Sequence, residues 1–406
     1  MKTYISLAWR NLWRNKKRTL IAAASVFFAV ILALLMRSMQ KGSYNFMIKS
    51  AVSMYTGYVQ VHGKNYWDKK SLEQSMVVAD SIQNKIHSIP EVSDVVPRLE
   101  SYALVSHKNF TKVAQINGID PTKENGMTKI ADKISAGKYL NANSNGAMIA
   151  EGLAELLNVS VGDSIVIYGQ GYHGMTAAAQ VPVTGIVKFT LPELNKSMLY
   201  LSLNYARWLF SAPGRLTSLS IMLKDPSDQD AVFNKVKTMF NKQYEVMTWD
   251  ELLPELVQSI ESDNSGGIIM LGILYIVIGF GIFGTIMMMT AERSHEFGIL
   301  ISVGMKKWKL IMVTTIETLF ISLIGVMAGA LASIPVLIYF YHNPIHLTGA
   351  AAEAYLAFGF DPIMPFAIYP GMFLAQIWTV LAIALFSAFY PFSYIRKLKT
   401  VEALRD

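Results

Sequence analysis

Residues 291–309 read AERSHEFGILISVGMKKWK. The stretch is charged toward both ends, punctuated by Gly298 and Gly304, and set between two segments apolar enough to cross a membrane. A charged connector of this kind surfaces where two helices leave the bilayer. That position suits a soluble partner that grips it, whereas the polar groups of a binding or catalytic site converge in a concave pocket.

Outward from it, four windows meet or approach the roughly 20 apolar residues that a spanning helix needs: 19–36, 266–290, 310–341 and 366–392. The first is the shortest, and Arg37 can snorkel at its end. The third exceeds one span and contains Pro335, so part of it is expected to kink or to leave the bilayer. Four such windows in a chain that is 52% hydrophobic argue against buried helices of a soluble core.

Charge orients these spans. The first 18 residues hold Lys2, Arg10, Arg14, Lys16, Lys17 and Arg18 and no acid. The connector carries Arg293, Lys306, Lys307 and Lys309, and the 393–406 tail carries Arg396, Lys397, Lys399 and Arg405. Loop 342–365 has neither Lys nor Arg. The positive-inside rule therefore places both termini and 291–309 in the cytoplasm, and 37–265 and 342–365 outside it. Segment 37–265 holds 22 basic and 22 acidic residues, so the net charge of +7 reports topology and gives no support to nucleic-acid binding. The 19–36 run is too long for a signal-peptide core, and MRSMQKGS after it is a poor cleavage site, so it reads as an uncleaved anchor. With no cysteine, disulfides and thiolate chemistry are excluded.

Ile5, Trp9, Leu12 and Trp13 share one helical face, and Arg10, Arg14 and Arg18 recur beside it every fourth residue. Segment 1–18 is thus expected to be a helix in the headgroup layer. The outer segment reads as mixed α/β, with strand-like runs that include 58–61, 92–96, 103–106, 113–117, 164–168, 181–187 and 218–223. Helix-like runs are 72–88, 147–157, 203–210 and 228–240. A division into two lobes, 45–115 plus 215–250 and 116–214, is expected, with 249–260 as a helical stalk and Gly266-Gly267 as a flexible joint. The fold class is an α-helical four-span bundle with a large mixed α/β extracytoplasmic domain inserted between spans one and two.

Catalytic motifs fail one by one. Gly169-Gln170-Gly171-Tyr172-His173-Gly174 matches GxGxxG, but the adjoining run 175–187 contains Pro182 and returns to strand pattern, so the motif reads as a hairpin loop. His295-Glu296 starts like HExxH, yet Ile299 stands at the second ligand position. His342 and His346 flank Pro344 without a nearby carboxylate, and no metal site is expected. No GxxxxGK[ST] or GxSxG occurs, so no catalytic residue is assigned. Glu317 lies about two turns into the third span, where a carboxylate costs a few kcal/mol. It is either part of a proton or substrate path or paired with a basic group such as Lys309 or one on a neighbouring helix. Gly325 and Gly329 form a GxxxG that lets helix backbones approach, within the subunit or between subunits.

Three stretches carry a resemblance. LAWRNLWRNKKRT, ERSHEFGILISVGM and YPFSYIRKLKTVEALRD are similar to the first-span entry, the coupling signature and the terminal segment of FtsX-like and MacB-type ABC-transporter permeases. GLAELLNVSVGDSIVIY resembles part of the outer domain of the lipoprotein-releasing members. The signature matches at Glu292, Arg293, Glu296, Gly298, Leu300, Gly304 and Met305, and departs at Ile301-Ser302, where Arg-Ala is common, and at Phe297, where Ile is common. What the resemblance implies is a permease paired with a second, identical or related permease and two copies of an ATPase that binds ATP and Mg. The ATPase would contact 291–309 through Glu292, Arg293, His295, Glu296, Gly298, Leu300, Gly304, Met305, Lys306 and Lys307. Mechanical motion passed to the outer domains would release lipoproteins from a bacterial inner membrane to a periplasmic carrier. Phe27, Phe28 and Leu35, with Ile276 and Phe283 opposite, would line the acyl-chain cleft. Efflux through a periplasmic adaptor and regulation of a cell-wall hydrolase are the alternatives.

Overall fold

A computed structural model of the protein describes residues 2–14, 16–240, 242–357 and 359–398, the side chains of Lys2, Thr3 and Arg18 excepted. Lys399, Arg405 and the end of the tail lie outside the described residues. The chain divides into two compact units. One comprises Met1–Asn45, Ser259–His346 and Ile363–Asp406, and the other Phe46–Gln258 and Leu347–Pro362.

The first unit is helical: α1 (Lys2–Arg14), α2 (Lys16–Ala51), α3 (Pro254–Glu292), α4 (Ser294–Ser302), α5 (Lys307–His342), α6 (Pro370–Ser387) and α7 (Phe389–Lys397). Among the described residues, four helices are long and apolar enough to cross a membrane. Pro254 and Pro370 open α3 and α6 at positions where a missing N–H costs nothing. The helices meet through Val26, Val30 and Leu34 of α2, Ile278 and Ile282 of α3, Val326 and Leu337 of α5, and Val380 of α6. The helix α5 continues through Pro335. One expectation is corrected here. Gly266-Gly267 is no joint, because α3 is helical throughout and a Cβ on Gly267 would collide with the Gln40 side chain. Glycine serves close approach at that point, and Tyr44 Oη donating to Asp263 Oδ2 at 2.6 Å and Arg37 to Asn264 Oδ1 at 2.9 Å tie the same two helices.

The second unit is built on one ten-stranded sheet. Its strands are β1 (Val59–Gly63), β2 (Val92–His107), β3 (Phe110–Ile119), β4 (Ile134–Gly137), β5 (Ala147–Ala150), β6 (Ser164–Gln170), β7 (Thr176–Val187), β8 (Met198–Ser202), β9 (Ser218–Leu223) and β10 (Tyr244–Thr248). The order is β10-β1-β9-β2-β3-β8-β5-β7-β4, and β6 pairs with both β2 and β7. The runs 92–96 and 103–106 are one strand, because Pro97 sits opposite Leu219 and Arg98 is neutralised in place. Arg98 donates from Nε and Nη2 to the two Glu124 carboxylate oxygens at 2.8 and 2.7 Å, both side chains being buried. The expected helix 72–88 is a 3-10 turn (Leu72–Gln74), a two-residue strand and a helix Asp80–His87, and 147–157 is β5 followed by a helix Glu151–Leu157. In both, a short apolar run fits strand as well as helix; 147–150 is buried in the large sheet, whereas Met76 and Val77 pair with Leu216 and Arg215 in a separate two-stranded sheet. The GxGxxG stretch joins β6 to β7 as an antiparallel hairpin.

Two hydrophobic clusters lie on this sheet. One gathers Val52–Val95 with Leu216–Val236, and the other gathers Leu72 with Leu99–Ala212. The expected boundary at 115/116 therefore cuts through β3, since Leu99, Val105 and Ala114 belong to the same core as Leu153 and Leu199.

His62 on β1 makes the stability of this unit depend on pH. Its Nε2 donates to Gln60 Oε1 at 2.5 Å, its ring stacks on Trp67, and its Nδ1 has no partner among the described residues, so the imidazole is neutral. Burial, reinforced by the Lys70 charge, pushes its pKa down to about 3. The unfolded chain takes up this proton first, so stability is full above the ordinary value near 6.5 and falls as pH drops toward about 3. Outer-domain unfolding monitored by tryptophan fluorescence should lose up to about 1.4 kcal/mol per pH unit in that window. His62→Phe should flatten the slope; an unchanged slope would remove His62 as its cause.

Candidate coupling site

The connector forms a compact turn between α3 and α5. Arg293 breaks the helical line (φ −94°, ψ 10°), and α4 follows from Ser294. At its far end Gly304 adopts φ +101°. Its N–H donates to Ile301 O at 3.0 Å and the Met305 N–H to Leu300 O at 3.0 Å, the paired bonds of a Schellman ending. A left-handed residue is required there, and glycine takes it without strain.

The inner side of the turn is anchored. Phe297 packs with Leu310 and Ile395, joined by Ile301, Met305 and Tyr394. Arg293 is buried, and its Nη1 donates to Glu317 Oε2 at 2.5 Å, while Asn11 of α1 donates to Glu317 Oε1 at 2.5 Å. Arg293 Nε also reaches Glu296 Oε2 at 3.2 Å, and Arg14 of α1 pairs with the same carboxylate. Tyr394 Oη meets Ser294 Oγ at 3.1 Å, and Lys307 Nζ donates to Leu398 O at 2.7 Å and Arg396 O at 3.2 Å, satisfying carbonyls at the end of α7. One network of charges thus ties α4 to α1 and to α5.

Several expected contact residues are therefore turned inward. Arg293 and Gly298 are buried, Met305 is half-buried against the Phe297 cluster, and Lys307 caps α7. The partner of Glu317 is Arg293 with Asn11, and Lys309 is not the group bound to it. Glu292, His295, Leu300, Gly304 and Lys306 are exposed, and Glu296 is intermediate. Sequence reasoning missed Ile299 and Val303, which stand exposed beside Leu300 and make the outer tip apolar, with Val303 83% exposed. The available signal was their i, i+4 spacing on the side opposite Phe297 and Ile301.

The five cleft positions have different surroundings. Phe28 and Ile276 are exposed, and Phe27 meets Phe28 edge-on at 5.1 Å. Leu35 packs against the bundle core, while Phe283 lies edge-on to Tyr390 of α7 at 5.5 Å.

Comparison with known proteins adds three findings. The MacB-like periplasmic core domain family matches residues 19–239, and the FtsX-like permease C-terminal family matches residues 268–400. The lipoprotein-releasing system transmembrane protein LolC of Neisseria meningitidis serogroup B is 22% identical over 337 residues, covering 76% of this chain and 77% of that protein. The macrolide export ATP-binding/permease protein MacB of Escherichia coli is 18% identical over 329 residues, covering 79% of this chain and 50% of that protein. Among solved structures, the periplasmic region of MacB from Actinobacillus actinomycetemcomitans covers 52% of this chain and 94% of its own, at 15% identity and a TM-score of 0.38.

Proposed function

We propose a role for this chain from one premise: it belongs to the permease family that joins a MacB-like periplasmic core domain to an FtsX-like C-terminal region. It is accordingly an ABC-transporter permease of the Lol and MacB kind in the inner membrane. Our finer reading is a lipoprotein-releasing subunit with both termini and 291–309 in the cytoplasm. It works with two copies of a separate ATPase, which holds ATP and Mg, and with a second identical or related permease. A periplasmic carrier receives the lipoprotein.

The observation that carries this reading is the one-sided build of α4. Its inner face is locked by Arg293, Glu296 and Phe297 onto α1, α5 and α7, and its tip presents Ile299, Leu300 and Val303 outward. A partner that presses the tip acts on these helices together, through the buried Arg293–Glu317 pair to α5, the exposed Arg14–Glu296 pair to α1 and the apolar contact of Phe297 with Ile395 of α7. Exposed Phe28 and Ile276 are the positions we assign to acyl-chain contact. The balanced charge of the outer domain suits a lipid-linked polypeptide better than a polyanion. The match of a MacB-like core to more than half the chain favours efflux through an adaptor as the second reading.

Mass spectrometry of the detergent-solubilised native complex tests both. An ATPase with acylated lipoprotein supports release, an ATPase with an adaptor and no lipoprotein transfers the assignment to efflux, and no ATPase at all defeats the reading. In the same preparation, Leu300→Asp with Val303→Asp should lower recovered ATPase about tenfold at unchanged permease yield. Equal recovery would show that the tip is not the grip.

A further inference from the structure

The ten-stranded sheet ends in two edges, β4 and β10, and the chain treats them differently. An open edge is a template for pairing, which proteins normally blunt with bulges, proline, charge or cover. At β4 the register with β7 shifts between Ile134 and Ala136, and the strand ends on Gly137 at φ +82°. At β10 all five residues, Tyr244–Thr248, pair with β1 in unbroken register and without proline. The one charge in β10, Glu245, is drawn toward the β1 side, where it accepts the Asn65 N–H at 3.1 Å. Alternation fixes which main-chain groups face outward. The Lys64 N–H donates to Gln243 O and the Trp249 N–H to Tyr58 O, both at 3.0 Å, so residues 243, 245, 247 and 249 turn toward β1. Tyr244, Val246 and Thr248 turn away from it, and the Thr248 N–H is taken by Glu251 Oε2 at 3.1 Å. Tyr244 and Val246 thus present N–H and C=O groups at an edge that, among the described residues, no strand covers.

The shape of the edge identifies the occupant. A groove of about 760 Å³ runs along β10. One wall is Phe240, whose ring lies 5.2 Å from Tyr244. The other is Trp67, which stacks at 5.4 Å on His62, the register partner of Glu245 and so on the opposite sheet face from Tyr244. Walls on both faces suit a single strand, whose side chains alternate between them, and obstruct the broad edge of a second folded sheet. Outward N–H and C=O groups in strand spacing are matched by the main chain of another extended segment, which adds to the sheet as one more strand. Such pairing draws its affinity from the backbone and so accepts many sequences, and the rim carries both signs of charge, in Lys237, Lys242 and Asp68. Tolerance of sequence is what a site for varied cargo needs. Residues 249–253 alone separate β10 from α3, the span that bears Ile276.

We infer that the open edge of β10 receives an extended segment of the transported polypeptide as an added strand. The inference rests on the lipoprotein-releasing reading and gives the protein part of the cargo its own site, apart from the acyl chains. Hydrogen–deuterium exchange of the full-length chain in detergent tests it. The probe is a lipopeptide with a diacylated N-terminal cysteine and an uncharged Ser-, Thr- and Gln-rich segment of about 30 residues, ample for one strand. The comparison is the diacylated cysteine alone. Exchange at the Tyr244 and Val246 amides should slow about tenfold with the lipopeptide and stay unchanged with the lipid alone. Val246→Pro deletes an outward N–H and leaves the ladder to β1 whole. It should cancel the slowing at Tyr244 and weaken lipopeptide binding about tenfold, while the chain unfolds at the same denaturant midpoint as the parent. Lipopeptide binding with no slowing at either amide overturns the edge site and leaves the lipoprotein reading standing. Equal slowing by the lipid alone overturns it too. Slowing that appears without any lipopeptide as chain concentration rises assigns the edge to a second copy and overturns the occupant. Failure of both lipopeptide and lipid to bind overturns the edge site together with the reading beneath it.

Discussion

Arg293→Ala should lower the stability of the detergent-solubilised chain by about 3–5 kcal/mol, the usual result of removing one partner from a buried ion pair. Glu317 is 4% exposed and, among the described residues, accepts hydrogen bonds from Arg293 and Asn11 at 2.5 Å. Without the guanidinium, one amide is left to balance a carboxylate inside a helix bundle. Removing both charges is milder: Arg293→Met with Glu317→Leu should recover most of the loss, because apolar groups of similar volume need no partner. Glu296→Ala should cost less than about 1 kcal/mol, since its side chain is 44% exposed and its pair with Arg14 is screened. Chemical unfolding followed by tryptophan fluorescence gives all three values. If Arg293→Ala stays within about 1 kcal/mol of the parent, the anchor assigned to it is wrong. The expected separation between Arg293 and Glu296 also sorts the two halves of the signature: one holds the turn in place, and the other lies at its rim.

That division was not legible in the sequence, for a geometric reason. The helical phase of α3 stops at Arg293, whose backbone leaves the helical region, so no periodicity carried from Gly266–Thr290 says which side of α4 faces inward. The spans were legible because apolar length alone defines them. The turn between the second and third spans was legible too, because Gly304 marks a helix end there. The need of Glu317 for a cation was predictable from its depth, but the choice of Arg293 over Lys309 depended on which α5 face packs toward α4. In the outer unit, Ser218–Leu223 stands as its alternation foretold. The single long strand β2 was hidden by Pro97, which sheets confine to edges, bulges and strand starts, and by Arg98, a charge that a buried strand rarely holds. Pairing with Glu124, some 26 positions on, made Arg98 acceptable, and a long-range partner leaves no local signal. Gly266-Gly267 misled in the opposite way: small size suggested flexibility, whereas contact with Gln40 explains Gly267.

The same distinction between a flexible and a close-packed glycine sets the last large effect. Gly325 on α5 faces α2 so closely that a Cβ would lie 2.7 Å from the Ala23 carbonyl oxygen and 2.7 Å from Val26 Cβ. One turn on, a Cβ at Gly329 would lie 2.8 Å from Phe27 O. Backbone oxygens cannot rotate aside as a side chain does, so larger residues must force the helix axes apart along the whole seam from Ala23 to Val30. Gly325→Ala should cost about 1–3 kcal/mol, and Gly325→Ile more, to the point of losing folded protein. Gly272 on α3 has open space around it, so Gly272→Ala should be neutral or stabilise by up to about 1 kcal/mol through helix propensity. Opposite signs at two glycines of similar sequence context would locate the GxxxG contact inside the subunit, between α2 and α5. A Gly325→Ile chain that unfolds like the parent but no longer pairs with a second permease would place the motif between subunits and refute the packing described for α5.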